Sequence, residues 1–446
     1  MSTTDRRDDA PARGRPHARN EILRGGLLGG VAPADIASSF GTPVFVYDLA
    51  TIDRQVKAAR AQLPASRFDL AFTVKANPSV SIVDHVRKAG LGLSVSSTGE
   101  LDLGLRLGYA GADITVVGPS KSPEELTAAA RAGAVVSVES PEEFQRLSTI
   151  AEGLSVRVDV LLRRLVAEYP AFSEAHIFGD FLLDKFGMTD DDLRTCLKAA
   201  PSLDGVRVVG LHAFRGSNIH DVDTLVSHFD ETTAFARELF ADADMRLQVV
   251  NVGGGLAIPI EVHDEGLDLA QLGRRLLQLE EEWAAMPEME GVRIRLEPGR
   301  FIAGPAGAYL VRVIDVKAPH GETVAVVDGG INHLLRPTLF GQEHRVRLLT
   351  RPGEPRRTLV SASIAGPLTS AIDVIARGVP MPRPEAGDLV AVLDVGAYGF
   401  TESMPYFGSR AIPAEVVVRD GVPRVARPRA EPDLILDRQV RVDWDA

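Results

Sequence analysis

The chain has 446 residues, 45% apolar and 25% charged, with a formal net charge of −12. That is enough for two or three domains, and the negative balance argues against nucleic acid or an anionic membrane surface as partner, although a cleft can still take a small anion. The single cysteine, Cys196, excludes an intrachain disulfide framework and a cysteine-based zinc site; it lies in a helical pattern and reads as a helix or core residue.

Residues 1–20 are polar and rich in Arg, Asp and Pro, which predicts a disordered tail without the apolar stretch of a secretory signal. No apolar run approaches the ~20 residues of a membrane-spanning helix, so a cytoplasmic protein is expected. Residues 21–44 are expected to pack with a second, β-rich domain, to which the segment 27–49 can supply a strand. Eight short apolar runs follow, at 70–76, 93–96, 114–118, 135–139, 158–163, 206–214, 247–255 and 294–299. Most are separated by helical patterns such as 123–132, 141–150, 221–240 and 269–285. Apolar strands alternating with helices predict an α/β fold with a parallel sheet, and eight units over about 250 residues predict a (β/α)8 TIM barrel over 45–302. A doubly wound open sheet is the alternative, but no Gly-x-Gly-x-x-Gly follows a first strand. From there the texture changes to short runs between Gly/Pro turns, at 309–317, 323–327, 345–349, 357–361, 389–393 and 414–418. These predict a mostly β C-terminal domain over 303–446.

Barrel active sites lie at the C-terminal ends of the strands. The first strand ends in Phe72-Thr-Val-Lys75-Ala-Asn, a positive charge in apolar surroundings. A strand-end lysine ordinarily snorkels to water; a buried one gives up its proton readily, as a Schiff base requires. The seventh strand ends in Gly253-Gly-Gly255, which is either a turn or a backbone cradle for an anion. Arg300, after the eighth strand, can add a bidentate charge where barrels often hold phosphate. Glu297 beside it is either half of an ion pair or, with Lys75 and a phosphate site, the acceptor for the protonated ring nitrogen of pyridoxal 5′-phosphate.

Taken in order, Lys75-Ala-Asn, Gly-Leu-His212-x-x-x-Gly-Ser217, Gly-Gly-Gly255, Glu297-Pro-Gly299-Arg300, Val-Asp328-Gly-Gly, Leu-Arg336-Pro, Gly366-Pro-x-x-x-x-x-Asp373 and Gly-Ala-Tyr398-Gly resemble the fold-type III pyridoxal phosphate decarboxylases, which include ornithine, arginine and diaminopimelate decarboxylases. The resemblance implies an alanine racemase-like barrel and a homodimer with shared active sites. It implies Lys75 as the Schiff-base lysine and Glu297 as the ring-nitrogen partner. Ser217, Gly254, Gly255, Gly299, Arg300 and Tyr398 are implied at the phosphate, Tyr398 also near the reacting carbon, and Arg336, Phe340, Ser370 and Asp373 toward the substrate.

The chain departs from the family pattern in three places. Phe214 stands where a histidine usually stacks on the cofactor ring, and His212 either compensates from the same strand or is a core histidine. Thr369 and Ser370 replace the cysteine, which offers a proton, and the acidic residue that meets a distal ammonium; a threonine hydroxyl is a poor direct donor. Ser94 stands at a usually acidic position. Arg336 adds positive charge suited to a distal carboxylate, and Arg215 either does the same or is a surface charge. These features, with Val-Asp-Gly-Gly, resemble the secondary-metabolism branch that acts on conjugated or carrier-protein-tethered amino acids. The expected activity is loss of the Cα-carboxyl as carbon dioxide; the alternatives are a diaminopimelate-type decarboxylase, a racemase, disfavoured by Glu297, and a non-catalytic cofactor-binding homologue.

Overall fold

The computed structural model describes residues 22–166, 185–260, 264–349 and 355–444, so the predicted tail at 1–20 lies outside the described residues. Eight parallel strands close a barrel in chain order: Phe68–Thr73, Gly92–Val95, Ile114–Val116, Val135–Val138, Val158–Arg163, Val206–His212, Val249–Asn251 and Arg293–Leu296. The eighth closes on the first through the pairing of Ile294 with Phe68. All eight apolar runs of the sequence supply a strand, because parallel strands buried on both faces need continuous apolar stretches.

Local chemistry fixes the helices between them. Pro123–Ala132 opens with a capping box, Ser122 and Glu125 each bonding the other's backbone N–H, and stops at Gly133 with φ +65°. Val222–Asp242 is capped by Asp221, whose carboxylate accepts the Thr224 N–H at 2.7 Å. Cys196 is buried in the helix Asp190–Ala199. Among the described residues no helix is long and apolar enough to cross a membrane.

The second domain is a sheet built around Gly307–Lys317, an eleven-residue strand. It pairs antiparallel with Thr323–Val327 and with Leu389–Leu393, and also with Val44–Asp48. Val44–Asp48 lies parallel to Ala414–Arg419 as well, so residues 45–48, which the boundary at 45 gives to the barrel, belong to the second sheet. The strand's run Val44-Phe-Val-Tyr-Asp48 is buried throughout, and only a central position in that sheet satisfies both backbone edges. The segment preceding it, including Ile22, Leu28, Val31 and Ile36, packs beneath the same sheet. The strands Val374–Pro382 and Val422–Arg427 have no counterpart among the predicted runs; both lie at sheet ends, where one neighbour suffices and the apolar signal is weak.

Three of the buried histidines tie the molecule together. The His228 Nε2 bonds the Val252 carbonyl at 3.0 Å, and His344 Nδ1 bonds that of Leu393 at 3.0 Å. His333 joins the Tyr309 hydroxyl, at 2.9 Å, to the Ala411 carbonyl. Burial pushes His228 and His333 down to about 4 and His344 down to about 3. Free imidazoles titrate near 6.5, so below that pH the unfolded chain binds more protons, and stability present above ~6.5 is lost as the pH falls toward 4. Unfolding free energy should therefore decline from pH 7 to 5, and His344→Asn should remove about one proton, ~1.4 kcal/mol per pH unit, from the slope. An unaltered slope in urea titrations of the variant would show that His344 takes its proton in the folded state.

Candidate active site

The first barrel strand ends at Thr73 and turns into a single 3-10 turn, Val74–Ala76, that carries Lys75. Lys75 is exposed rather than buried in the strand, because the turn carries its side chain out of the apolar wall. Its flanks are fixed. The Thr73 hydroxyl donates to the Glu297 carbonyl at 2.7 Å, and the Tyr398 N–H donates to the Ala76 carbonyl at 2.8 Å. Asn77 donates to the Gly396 carbonyl at 2.9 Å, so the second domain clamps the lysine turn from the side. Tyr398 holds this position with φ +55°, a left-handed backbone a tyrosine seldom adopts.

Glu297 follows the eighth strand and is buried. Its Oε1 accepts from Asn251 Nδ2 at 2.8 Å, and its Oε2 lies 3.9 Å from His212 Nε2. The His212 Nδ1 contacts the Ser137 hydroxyl at 2.8 Å. Burial, reinforced by the charge of Arg163, holds the His212 pKa well below its ordinary value, so this imidazole is neutral. His212 is thus a hydrogen-bonded residue of the barrel interior beside Glu297, while Phe214, two residues on and half-buried, packs against Gly253.

The glycines form a closed cradle. Gly253 and Gly255 have φ +67° and +100°, and a Cβ at Gly254 would lie 2.6 Å from the Glu297 carbonyl oxygen. A Cβ at Gly255 would lie 2.7 Å from the Gly216 carbonyl, in the loop of Ser217. The Ile219 N–H donates to Gly255 at 2.7 Å and stitches the two loops together. Gly299 nests against the lysine turn, a Cβ there meeting that of Ala76 at 2.8 Å. Arg300 opens the next short helix, buried, its guanidinium 4.9 Å from the Tyr398 ring centroid.

Arg336 is buried nearby, its guanidinium between the rings of Phe340 at 4.5 Å and Tyr398 at 5.5 Å, and paired with Glu402. Arg215 pairs with Glu231 at 3.3 Å on the outer helix. Asp373, expected toward the substrate, is turned inward. Its two oxygens accept the Ile331 and Leu368 N–H groups at 2.8 and 2.7 Å, and a Cβ at Gly330 or Gly366 would strike it. Both acceptor oxygens are used in fastening the loop, a contact that sequence spacing does not reveal. Thr369 on this loop is exposed and Ser370 half-buried. Gly329 likewise has a packing cause, since a Cβ there would lie 1.8 Å from the Tyr309 hydroxyl. Asn251, Ser137, Asn77 and Glu402 were given no role from the sequence; Asn77 carried a signal as the end of Lys75-Ala-Asn, and Asn251 at the end of the strand that leads into the glycines. A cavity of about 270 Å³ lined by Asp159, Arg207 and Arg295 opens at the strand starts, the end of the barrel away from this site.

A closed parallel barrel with a lysine turn, an acidic residue and a glycine cradle at its C-terminal mouth, clamped by a β domain, defines a two-domain barrel enzyme. Residues 49–304 match the family model described as pyridoxal-dependent decarboxylase, pyridoxal binding domain, and the chain belongs to that family. It is 34% identical over 421 residues to a diaminopimelate decarboxylase of Actinosynnema pretiosum subsp. auranticum, covering 93% of this chain and 92% of the relative. It is 28% identical over 415 residues to the L-glutamyl-[BtrI acyl-carrier protein] decarboxylase of Niallia circulans, covering 92% and 96%. The crystal structure of diaminopimelate decarboxylase from M. jannaschii in complex with L-lysine superposes with a TM-score of 0.84 at 25% identity, covering 94% of this chain and 97% of that one. The enzyme is a decarboxylase dependent on pyridoxal phosphate, and the site fits that cofactor: the cradle excludes any Cβ, and a buried carboxylate stands between Asn251 and a neutral histidine.

Proposed function

We propose that the protein is a cytoplasmic, homodimeric α-amino-acid decarboxylase acting on an amino acid tethered to a carrier protein. The observation that carries the site is the buried Glu297 carboxylate, oriented by Asn251, with its N–H donating to the Gly253 carbonyl at 2.8 Å and Arg300 three residues on. Lys75 would hold the cofactor through its Nζ and, when free, would move protons. Gly254, Gly255, Gly299, Ser217 and Arg300 hold the phosphate, with Tyr398 against Arg300. Phe214 would pack against the bound ring, and Glu297 would keep its ring nitrogen protonated. Bound cofactor supplies the sink for the electron pair released when the Cα–carboxylate bond breaks. The proton that replaces carbon dioxide comes from Lys75 Nζ, or from water held near Thr369 or Tyr398.

Tethering is supported by the likeness to the carrier-protein enzyme and by Ser370, which offers no charge to a distal ammonium. Dimerisation is supported by an apolar surface beside the Thr369 loop: Ile372, Tyr406 and Phe407 are exposed, and Arg410 binds the Pro367 carbonyl at 2.7 Å. Tethering is tested by carbon dioxide release from aminoacylated carrier proteins against free basic and acidic amino acids. Release from free diaminopimelate alone would overturn it. Thr369→Cys should raise the rate of Cα protonation several-fold, since a thiol is a far stronger acid than a hydroxyl; an unchanged solvent isotope effect and rate would place the donor elsewhere.

A further inference from the structure

The Arg336 guanidinium is caged. Its Nε donates to Gln342 Oε1 at 2.7 Å, another nitrogen binds the Glu402 carboxylate, and the rings of Phe340 and Tyr398 cover it. Gln342 is itself held by His344, so the cage is braced from behind. The cage also borders the reaction centre. Tyr398, which stacks with both Arg300 and Arg336, bonds the backbone of the lysine turn. The Ser403 hydroxyl accepts the Leu335 N–H at 3.1 Å and donates to the Gly399 carbonyl at 2.7 Å, which fixes Glu402 between Tyr398 and the Arg336 helix. The side chain of Arg336 is 4% exposed, that of Glu402 35%.

An amino acid that loses its Cα-carboxyl cannot be tethered through that carboxyl. A glutamyl group on a carrier is therefore joined through its side-chain carboxyl, which becomes a neutral acyl group. An arginine beside the site with no carboxylate of its own would favour a free side-chain carboxylate, by a charge-assisted bidentate bond. Glu402 supplies that carboxylate from within the chain. A free diacid then has to displace Glu402 or lie beside it at the cost of like-charge repulsion, whereas a neutral acyl group meets no such cost.

We infer that Glu402 determines specificity: by neutralising Arg336 it selects amino acids whose side-chain carboxyl is closed in a thioester, ester or amide. This rests on the decarboxylase reading above. The test compares the wild-type holoenzyme with Glu402→Gln, which removes the charge and keeps the shape, and with Glu402→Ser. Carbon dioxide release is followed from L-glutamate and from its γ-methyl ester, and binding of glutarate and its monomethyl ester by calorimetry. The wild type should prefer the ester. Glu402→Gln should shift the kcat/KM ratio toward free glutamate by about tenfold or more, mainly in KM, and tighten glutarate by a similar factor, as one uncovered charge pair predicts. Unchanged glutarate binding in both variants overturns the role of Glu402, even if the ester is decarboxylated. Tighter glutarate binding with no carbon dioxide from either substrate upholds Glu402 and overturns the glutamyl-decarboxylase reading.

Discussion

Lys75→Ala should lower carbon dioxide release by about 10⁴-fold or more, because no other group can take over both covalent attachment and proton transfer. Borohydride treatment, which fixes a lysine-linked cofactor to the wild-type chain, should add no mass to the variant. Cofactor should still be held without the covalent link, since the glycine cradle and Arg300 are untouched. Stability should change by less than about 0.5 kcal/mol, because the Lys75 side chain is exposed and the turn is secured by Thr73, Asn77 and the Tyr398 N–H. Persisting covalent attachment would assign the cofactor to another lysine.

Glu297→Gln should cost about 10² to 10³-fold in kcat with little change in KM, the range seen when one group aimed at transition-state charge is removed. The amide keeps an oxygen for Asn251 Nδ2, so the fold around it is retained and the loss isolates the charge. Ground-state binding of cofactor and substrate is dominated by the phosphate cradle, hence the small effect on KM. Wild-type turnover by this variant would place the ring-nitrogen partner elsewhere and remove the main argument against a racemase.

The glycine-rich run shows how sequence and structure divide the evidence. As letters, Gly253–Gly255 is a turn or an anion cradle with equal ease. In the fold, a Cβ at two of its positions would strike the Glu297 and Gly216 carbonyls, so these glycines are fixed by three chain segments converging on one point. Asp373 makes the opposite case: its place in a motif suggested substrate, but both of its oxygens bind backbone N–H groups. Arg336 was legible as a positive charge, and its neutralisation by Glu402, 66 residues away, was not.

By itself the sequence determined the eight barrel strands, the β-rich second domain and the family, and it singled out the lysine, glutamate, glycines and arginines that the fold gathers at the barrel mouth. Those features rest on local composition and on short motifs, which a linear chain displays directly. The tertiary structure alone decided that residues 45–48 join the second sheet, that Lys75 stands open on a turn, and that Asn251 and His212 flank Glu297. It alone showed that Arg336 already has a carboxylate partner. Each of these depends on contacts between residues far apart in the chain, and no periodicity or spacing records which distant groups will meet.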